Sequence, residues 1–337
     1  MKTITIAEAA LLLKGKDNIL LLTHKRPDGD TLGCAAALCH MLRGIGKTAW
    51  LLQNDEVTEN YAPYVENLWA AGDYRHQTVV SVDLAALSLF PKNAEQFRDR
   101  VDLAIDHHGS YENFGKLCCV HPECAACGEI LYEVAVELGQ LTPEVALPLY
   151  VAVATDTGCF VYSNVTANTH RVAAALMETG IVVREINKKH FRTKTKKRLA
   201  LEGRLLSEME YFDGGRVVVV QVPQSMIKEM QLTENDMDDL AALGGLVEGQ
   251  DCSVTMKEME NGDWKISVRT GPRVNATRVC ETFGGGGHAA ASGCVIRGMT
   301  QEEAKRAIVK ACIEVGTPSV GSADSSADSS PASGGAK

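Results

Sequence analysis

One pattern constrains this chain more than any other: an apolar, β-type run that stops at an acid or a histidine. It recurs four times. Leu21-Leu22-Thr23 leads into His24, Asp28 and Asp30; Val79-Val80-Ser81-Val82 leads into Asp83; Val101-Asp102-Leu103-Ala104-Ile105 leads into Asp106-His107-His108; and Tyr150-Val151-Ala152-Val153-Ala154-Thr155 leads into Asp156. A lone Asp after a strand is usually a turn former or a helix N-cap, so the inference rests on the joint pattern. In a parallel sheet the carboxyl ends of the strands lie together, and open α/β sheets bind ligands there. The pattern therefore predicts four strand ends that gather carboxylates and imidazoles at one place. Such a gathering is unfavourable unless a cation neutralises it. Oxygen-rich donors with some imidazole favour Mn²⁺ or Mg²⁺ over a structural zinc, and a shared carboxylate suits a two-metal cluster.

These elements resemble, in order, the four motifs of the DHH phosphoesterases. They are His-x-x-x-Asp-x-Asp at His24 to Asp30, the isolated Asp83, the Asp106-His107-His108 triplet, and Asp156. The run Gly284-Gly285-Gly286-Gly287-His288-Ala289-Ala290-Ala291-Ser292-Gly293 resembles the glycine-rich motif of the DHH-associated C-terminal domain. The resemblance implies an α/β protein of two domains: an N-terminal parallel-sheet DHH domain and a smaller C-terminal α/β substrate-binding domain, with the active site in the cleft between them. It implies two Mn²⁺ ions, with Mg²⁺ as the alternative. His24, Asp28 and Asp83 would hold one, and Asp30, Asp83, His107 and Asp156 the other, with Asp83 bridging. His108 would act catalytically, contacting phosphate or serving the leaving group as an acid.

Read alone, four successive glycines are a flexible loop. With His288 directly after them, main-chain N–H groups free of side chains can cradle phosphate. Arg269 is the best partner cation, because guanidinium matches phosphate bidentately. The resemblance assigns substrate contacts to Arg269, Gly285, Gly286, Gly287 and His288, with Asn275 as a weaker addition. The implied reaction is hydrolysis of very short single-stranded RNA or dinucleotides to nucleoside monophosphates, and of phosphoadenosine phosphate to AMP. Cyclic or linear dinucleotide messengers are the alternative substrates. The glycine-rich motif argues against a pyrophosphatase, and the retained motif residues argue against a nonenzymatic nucleotide sensor.

A length of 337 residues with 45% hydrophobic content suits two ordinary cores. The expected division is a catalytic domain over 1–185, a helical linker over 186–211, a second domain over 212–315 and a disordered tail over 316–337. Helices expected over 31–44, 128–139 and 168–179 alternate with strands, the signature of a parallel sheet covered on both faces. In the second domain, strands are expected from Arg216, Cys252 and Trp264, and Thr300 with Glu303 reads as a capping box for the last helix.

The net charge of -9 argues against a general nucleic-acid binder that tracks along long polymers, whose affinity comes from Lys and Arg facing phosphates. It does not exclude a short anionic substrate, because a metal pair returns positive charge to the site. The basic run from Lys188 to Arg198 reads as a solvated helix joining two domains, with a rim that attracts nucleotide phosphates as the alternative. Eleven cysteines, an odd number set in apolar segments, read as reduced core thiols. Cys124 and Cys127 form one C-x-x-C pair without the second pair that zinc ordinarily requires, so they read as loop and core residues. No apolar run approaches membrane-spanning length and no signal peptide is evident, so the expectation is a soluble, cytoplasmic protein, with a homodimer as an option.

Overall fold

A computed structural model describes residues 2–237 and 240–316; the tail expected beyond residue 316 lies outside the described residues. The chain divides into two compact units, the first ending at Thr193 and the second beginning at Lys194.

In the first unit, short and mostly apolar segments form five strands, β2 (Ile19–Leu22), β3 (Ala49–Leu51), β4 (Thr78–Val82), β5 (Leu103–Asp106) and β6 (Leu117–Val120), beside the exposed two-residue β1 (Lys2–Thr3). They make one sheet in the order β1-β6-β5-β4-β2-β3, and every pairing is parallel. β2, β4 and β5 are buried along their whole length, as strands covered on both faces must be. The helices are α1 (Ile6–Gly15), α2 (Gly29–Gly44), α3 (Cys127–Leu138), α4 (Pro143–Asp156), α5 (Ala167–Glu178) and α6 (Val183–Asn187). One sequence expectation fails here. The run Tyr150 to Thr155 is not a strand but the second half of α4. An apolar run cannot be told from a buried helix by periodicity; the deciding feature is length, and α4 spans 14 residues after Pro143 at its start.

Glycines bring three of these helices together. A Cβ at Gly33 of α2 would run into the Pro148 carbonyl of α4, and one at Gly128 of α3 would lie 2.9 Å from the Ala152 Cβ. The close approach carries Asp30 at the start of α2 and Asp156 at the end of α4 toward the ends of β4 and β5.

The second unit opens with α7 (Lys196–Ser207) and contains β7 (Glu210–Phe212), β8 (Val217–Val222), α8 (Gln224–Glu229), β9 (Cys252–Glu258), β10 (Trp264–Thr270), α9 (Ala276–Glu281), β11 (Gly286–His288), β12 (Ala291–Ile296) and α10 (Gln301–Gly316). Its sheet runs β11-β12-β10-β9-β8-β7 and is mixed, with only β8 and β9 parallel. The expected capping box is present: the Thr300 N–H donates to Glu303 Oε2 at 2.9 Å and the Glu303 N–H to Thr300 Oγ1 at 3.4 Å. α10 and α9 cover one sheet face, over Val254, Ile266, Val268 and Ile296. Among the described residues, no helix is long and apolar enough to cross a membrane.

Candidate metal centre

β2, β4 and β5 are neighbours, with Leu22 in register with Ser81 and Val82 with Ile105. His24, Asp83 and His107 therefore follow three adjacent strand ends. Asp83 turns off its strand in a left-handed conformation, φ +51°, tolerated by Asp among non-glycine residues, while its N–H still donates to the Ile105 carbonyl at 2.9 Å. The turn aims a buried carboxylate between the two imidazoles. His24 Nε2 lies 3.8 Å from Asp83 Oδ2 and 3.6 Å from Asp28 Oδ1, and His107 Nε2 lies 3.5 Å from Asp83 Oδ1. His107 Nε2 also lies 3.7 Å from Asp30 Oδ2 and 3.5 Å from Asp156 Oδ2. These contacts resolve into three groups able to hold a cation: His24, Asp28 and Asp83; Asp30, His107 and Asp156; and Asp83, His107 and His108.

Each donor is aimed by a partner behind it. His24 Nδ1 faces the Lys25 carbonyl at 2.8 Å and His107 Nδ1 the Cys124 carbonyl at 3.2 Å. A carbonyl only accepts, so both Nδ1 atoms carry the proton and both Nε2 lone pairs point into the cluster. Asp28 is the N-cap of α2, accepting the Asp30 and Thr31 N–H groups at 3.0 and 3.2 Å. Asp30 accepts the Cys127 N–H at 2.7 Å, the Gly128 N–H at 3.0 Å and the Cys34 thiol at 3.1 Å.

The electrostatics of the cluster suits a metal. Asp83 is pushed well above the usual carboxylate range, by burial first and then by Asp30 and Asp28. Asp156 is raised to about 8 by the same causes, burial and then the charges of Asp30 and Asp28. Its position at the C-terminus of α4 is itself wrong for an anion, since the helix dipole is negative there. Asp83 Oδ1 is buried without a hydrogen-bond partner. A buried oxygen without a hydrogen bond among crowded acids and imidazoles fits divalent cations.

His108 also faces Asp83, with Nδ1 3.5 Å from Oδ1, and is tied to Asp106. Its Nδ1 lies 2.9 Å from Asp106 Oδ1, which also accepts the His108 N–H at 2.7 Å. Burial opposes protonation of this ring, but the hydrogen bond and charge of Asp106 outweigh it and its pKa is raised.

In the second unit, Arg269 on β10 pairs with Ala291 on β12, and Ala291 pairs with His288 on β11. Cross-strand partners share a face, so Arg269 and His288 stand on the same side of the sheet about 10 Å apart, with only a methyl group between them. The glycine run is not a loose loop but an edge strand whose close pairing requires glycine. Gly287 has φ +149°, and a Cβ on it would lie 2.7 Å from the Ala291 carbonyl; a Cβ on Gly285 would collide with Gly293 and Cys294. Gly286 makes no such demand. Asn275 is the exposed N-cap of α9, its side chain accepting the Arg278 N–H at 3.2 Å.

A family model described as "DHH family, N-terminal domain" matches residues 18–153, and one described as "DHHA1 domain" matches residues 214–315. A Thermus thermophilus protein named bifunctional oligoribonuclease and PAP phosphatase NrnA is 31% identical, over 92% of this chain and 93% of its own length. The chain belongs to the DHH phosphoesterase family. The Bacillus subtilis protein of the same name is 24% identical over 83% of this chain and 90% of its own. A cyclic-di-AMP phosphodiesterase GdpP from Geobacillus thermodenitrificans is 22% identical over 89% of this chain but only 48% of that protein. The fold is that of an exopolyphosphatase-related protein from Bacteroides fragilis, with a TM-score of 0.83 and 22% identity over 92% of this chain and 96% of that one.

Several residues around the DHH centre carry no sequence signal. Asn54 donates to the His24 carbonyl at 2.9 Å and to Thr23 Oγ1 at 3.1 Å, and Thr31 donates to the Val82 carbonyl at 2.9 Å. Glu129, buried, accepts the Ala125 N–H at 3.3 Å and the Thr169 hydroxyl at 2.6 Å, ordering the loop that aims His107 and Asp30. Cys127, from the C-x-x-C pair, is buried and donates its thiol to the Ile105 carbonyl at 3.4 Å.

Proposed function

We propose that this protein is a two-metal phosphoesterase that hydrolyses very short oligoribonucleotides to nucleoside monophosphates and phosphoadenosine phosphate to AMP. The observation that carries the reading is the position of Asp83 between two imidazoles, with Oδ2 3.8 Å from His24 Nε2 and Oδ1 3.5 Å from His107 Nε2. A shared carboxylate is the arrangement that holds two cations near each other. The end-to-end likeness to a protein named for both activities supplies the substrate class.

His24, Asp28 and Asp83 would hold one ion, and Asp30, Asp83, His107 and Asp156 the other; the donor set suits Mn²⁺, with Mg²⁺ as the second fit. When bound, the pair would neutralise a phosphate and lower the pKa of an attacking water. The protein's part is positional. Asp106 keeps the Nδ1 proton of His108 in place, so that Nε2–H is the proton offered to the leaving oxygen. Arg269 and His288, on one face of the second sheet, would hold a substrate phosphate.

The test is a product assay on the purified protein with Mn²⁺, against dinucleotides, short RNA, a cyclic dinucleotide, phosphoadenosine phosphate and pyrophosphate. Nucleoside monophosphates from the linear substrates and AMP from phosphoadenosine phosphate are expected. Turnover confined to the cyclic dinucleotide or to pyrophosphate overturns the assignment.

A further inference from the structure

The segment that follows Asp156 has a backbone that few sequences adopt. Gly158, Cys159 and Phe160 have φ values of +55°, +57° and +67° in succession. Left-handed conformation is routine for glycine as a single residue and unfavourable for Cys and Phe, and runs of it persist only where the surroundings force them. Here the surroundings do. The Thr157 hydroxyl, fully buried, accepts the Phe160 N–H at 3.2 Å. The Phe160 ring is held between Tyr150 and His170, at centroid distances of 6.0 and 5.4 Å. Asn164 closes the segment by donating to the Asp156 carbonyl at 3.1 Å and the Ala125 carbonyl at 3.0 Å.

Phe160 explains the anchoring of this turn but not its outward side. Tyr162 leaves 51% of its surface to solvent and Val161 79%. Tyr162 is nevertheless placed, not loose. Its N–H donates to the Thr157 carbonyl at 3.1 Å, and its ring lies so close over Gly158 that any Cβ there would collide with it. Gly158 is two residues from Asp156, so its Cα lies within about 7.6 Å of the Asp156 Cα. Asp156 is one of the acids that could hold a metal, so the turn that carries this ring begins at the cluster where the phosphate of a bound nucleotide would sit.

Resting on the phosphoesterase reading above, we infer that Tyr162 is a specificity-determining residue that stacks on the nucleobase attached to the scissile phosphate. The left-handed turn fixes the ring beforehand, so little ordering remains when a base arrives. Stacking on an aromatic side chain is tolerant of base identity, which suits an enzyme that must accept short RNAs of any sequence. It also separates nucleoside phosphates from phosphodiesters without bases.

The experiment compares wild type, Tyr162→Ala and Tyr162→Phe on a dinucleotide and on its analogue lacking both bases, with Mn²⁺ stoichiometry measured in each protein. Tyr162→Ala is expected to raise KM for the dinucleotide roughly five- to a hundredfold, the range that loss of one stacked base implies. The kcat and bound manganese should stay as in wild type. Tyr162→Phe, which keeps the ring, should behave as wild type, and on the abasic analogue all three should be alike. An unchanged dinucleotide KM in Tyr162→Ala, or an equal loss on both substrates, overturns the stacking role while leaving the phosphoesterase reading standing. Wild type that binds manganese but cleaves neither substrate overturns both.

Discussion

Asp30 accepts the main-chain N–H of Cys127 at 2.7 Å and that of Gly128 at 3.0 Å, so the first acidic motif is clamped by the opening turn of a helix almost a hundred residues later. The positive end of α3 favours the ionised carboxylate, against the burial that raises its pKa. Gly128 makes the clamp achievable, because it has no Cβ to meet Val153 at 3.0 Å.

Gly128→Ala should therefore push the start of α3 off Asp30 without touching a metal donor. Loss of a group that orients a ligand typically costs about 10- to 100-fold in metal affinity. Manganese titration, followed by calorimetry, is expected to show weakening in that range. An affinity equal to wild type would mean that Asp30 needs no clamp.

Asp83→Asn keeps the shape and tolerates the left-handed backbone at φ +51° while removing the charge proposed to be shared by two cations. Activity on a dinucleotide should fall by more than about a hundredfold, beyond what loss of a residue merely supporting a ligand produces. Stability should move the other way in metal-free protein, since the carboxylate is buried beside Asp30 and Asp28. The variant should melt no lower than wild type without metal, and added Mn²⁺ should raise the melting temperature of wild type much more. Equal stabilisation of both proteins by Mn²⁺ contradicts a bridging role.

These centres were legible in the sequence to different depths. His24, Asp83 and His107 could be placed because a buried parallel strand is a short apolar run with an abrupt polar end, and β2, β4 and β5 are such runs. Asp156 was expected at a strand end, whereas it ends a helix, since a helix stretch buried on all sides, as α4 is from Pro148 to Ala154, shows neither a period of two nor a polar face. The glycine run was read as a loop able to cradle phosphate; that it forms an edge strand was not legible, because its pairing with β12 depends on residues that local composition does not reveal. Glu129 was invisible for a related reason. Its partner Thr169 is 40 residues away, and nothing near Glu129 in the chain marks it as buried.

Arg269 and His288 share a sheet face through Ala291, and neither contributes to the groups that could hold a metal. His288→Ala should leave manganese content unchanged while removing a charge-assisted contact to a substrate phosphate. Such contacts are worth about 1.5 to 3 kcal/mol, or roughly ten- to a hundredfold in kcat/KM. A minimal phosphodiester with a single phosphate should lose little. Arg269→Lys should also be impaired, because a point charge does not replace the guanidinium fork. Equal losses on nucleotide and minimal substrate, or reduced metal content, would remove this face from substrate binding.

The last prediction concerns His190, in the π-helical turn Lys188–Arg192. Its ring stacks on Tyr61 at a centroid distance of 5.3 Å, with Nε2 2.8 Å from the Tyr64 hydroxyl and Nδ1 3.1 Å from the Asn60 amide nitrogen. The Asn60 NH₂ donates, so Nδ1 must accept, and a proton placed there would set two donors against each other. Burial lowers the His190 pKa to about 4, with the charge of Lys189, whose ammonium lies 4.8 Å from the Tyr64 ring centroid, as the second cause. In the unfolded chain the same group titrates near 6.5. The unfolded state thus binds the proton first as pH falls, so stability from the neutral ring is full above pH 6.5, declines toward pH 4 and changes little below. His190→Gln supplies an oxygen for Asn60 and an amide N–H for Tyr64 without titrating. Urea denaturation of both proteins across this range should show wild type losing stability relative to the variant as pH drops from 6.5 to about 4. Parallel curves for the two proteins would show that His190 is not held neutral by this packing.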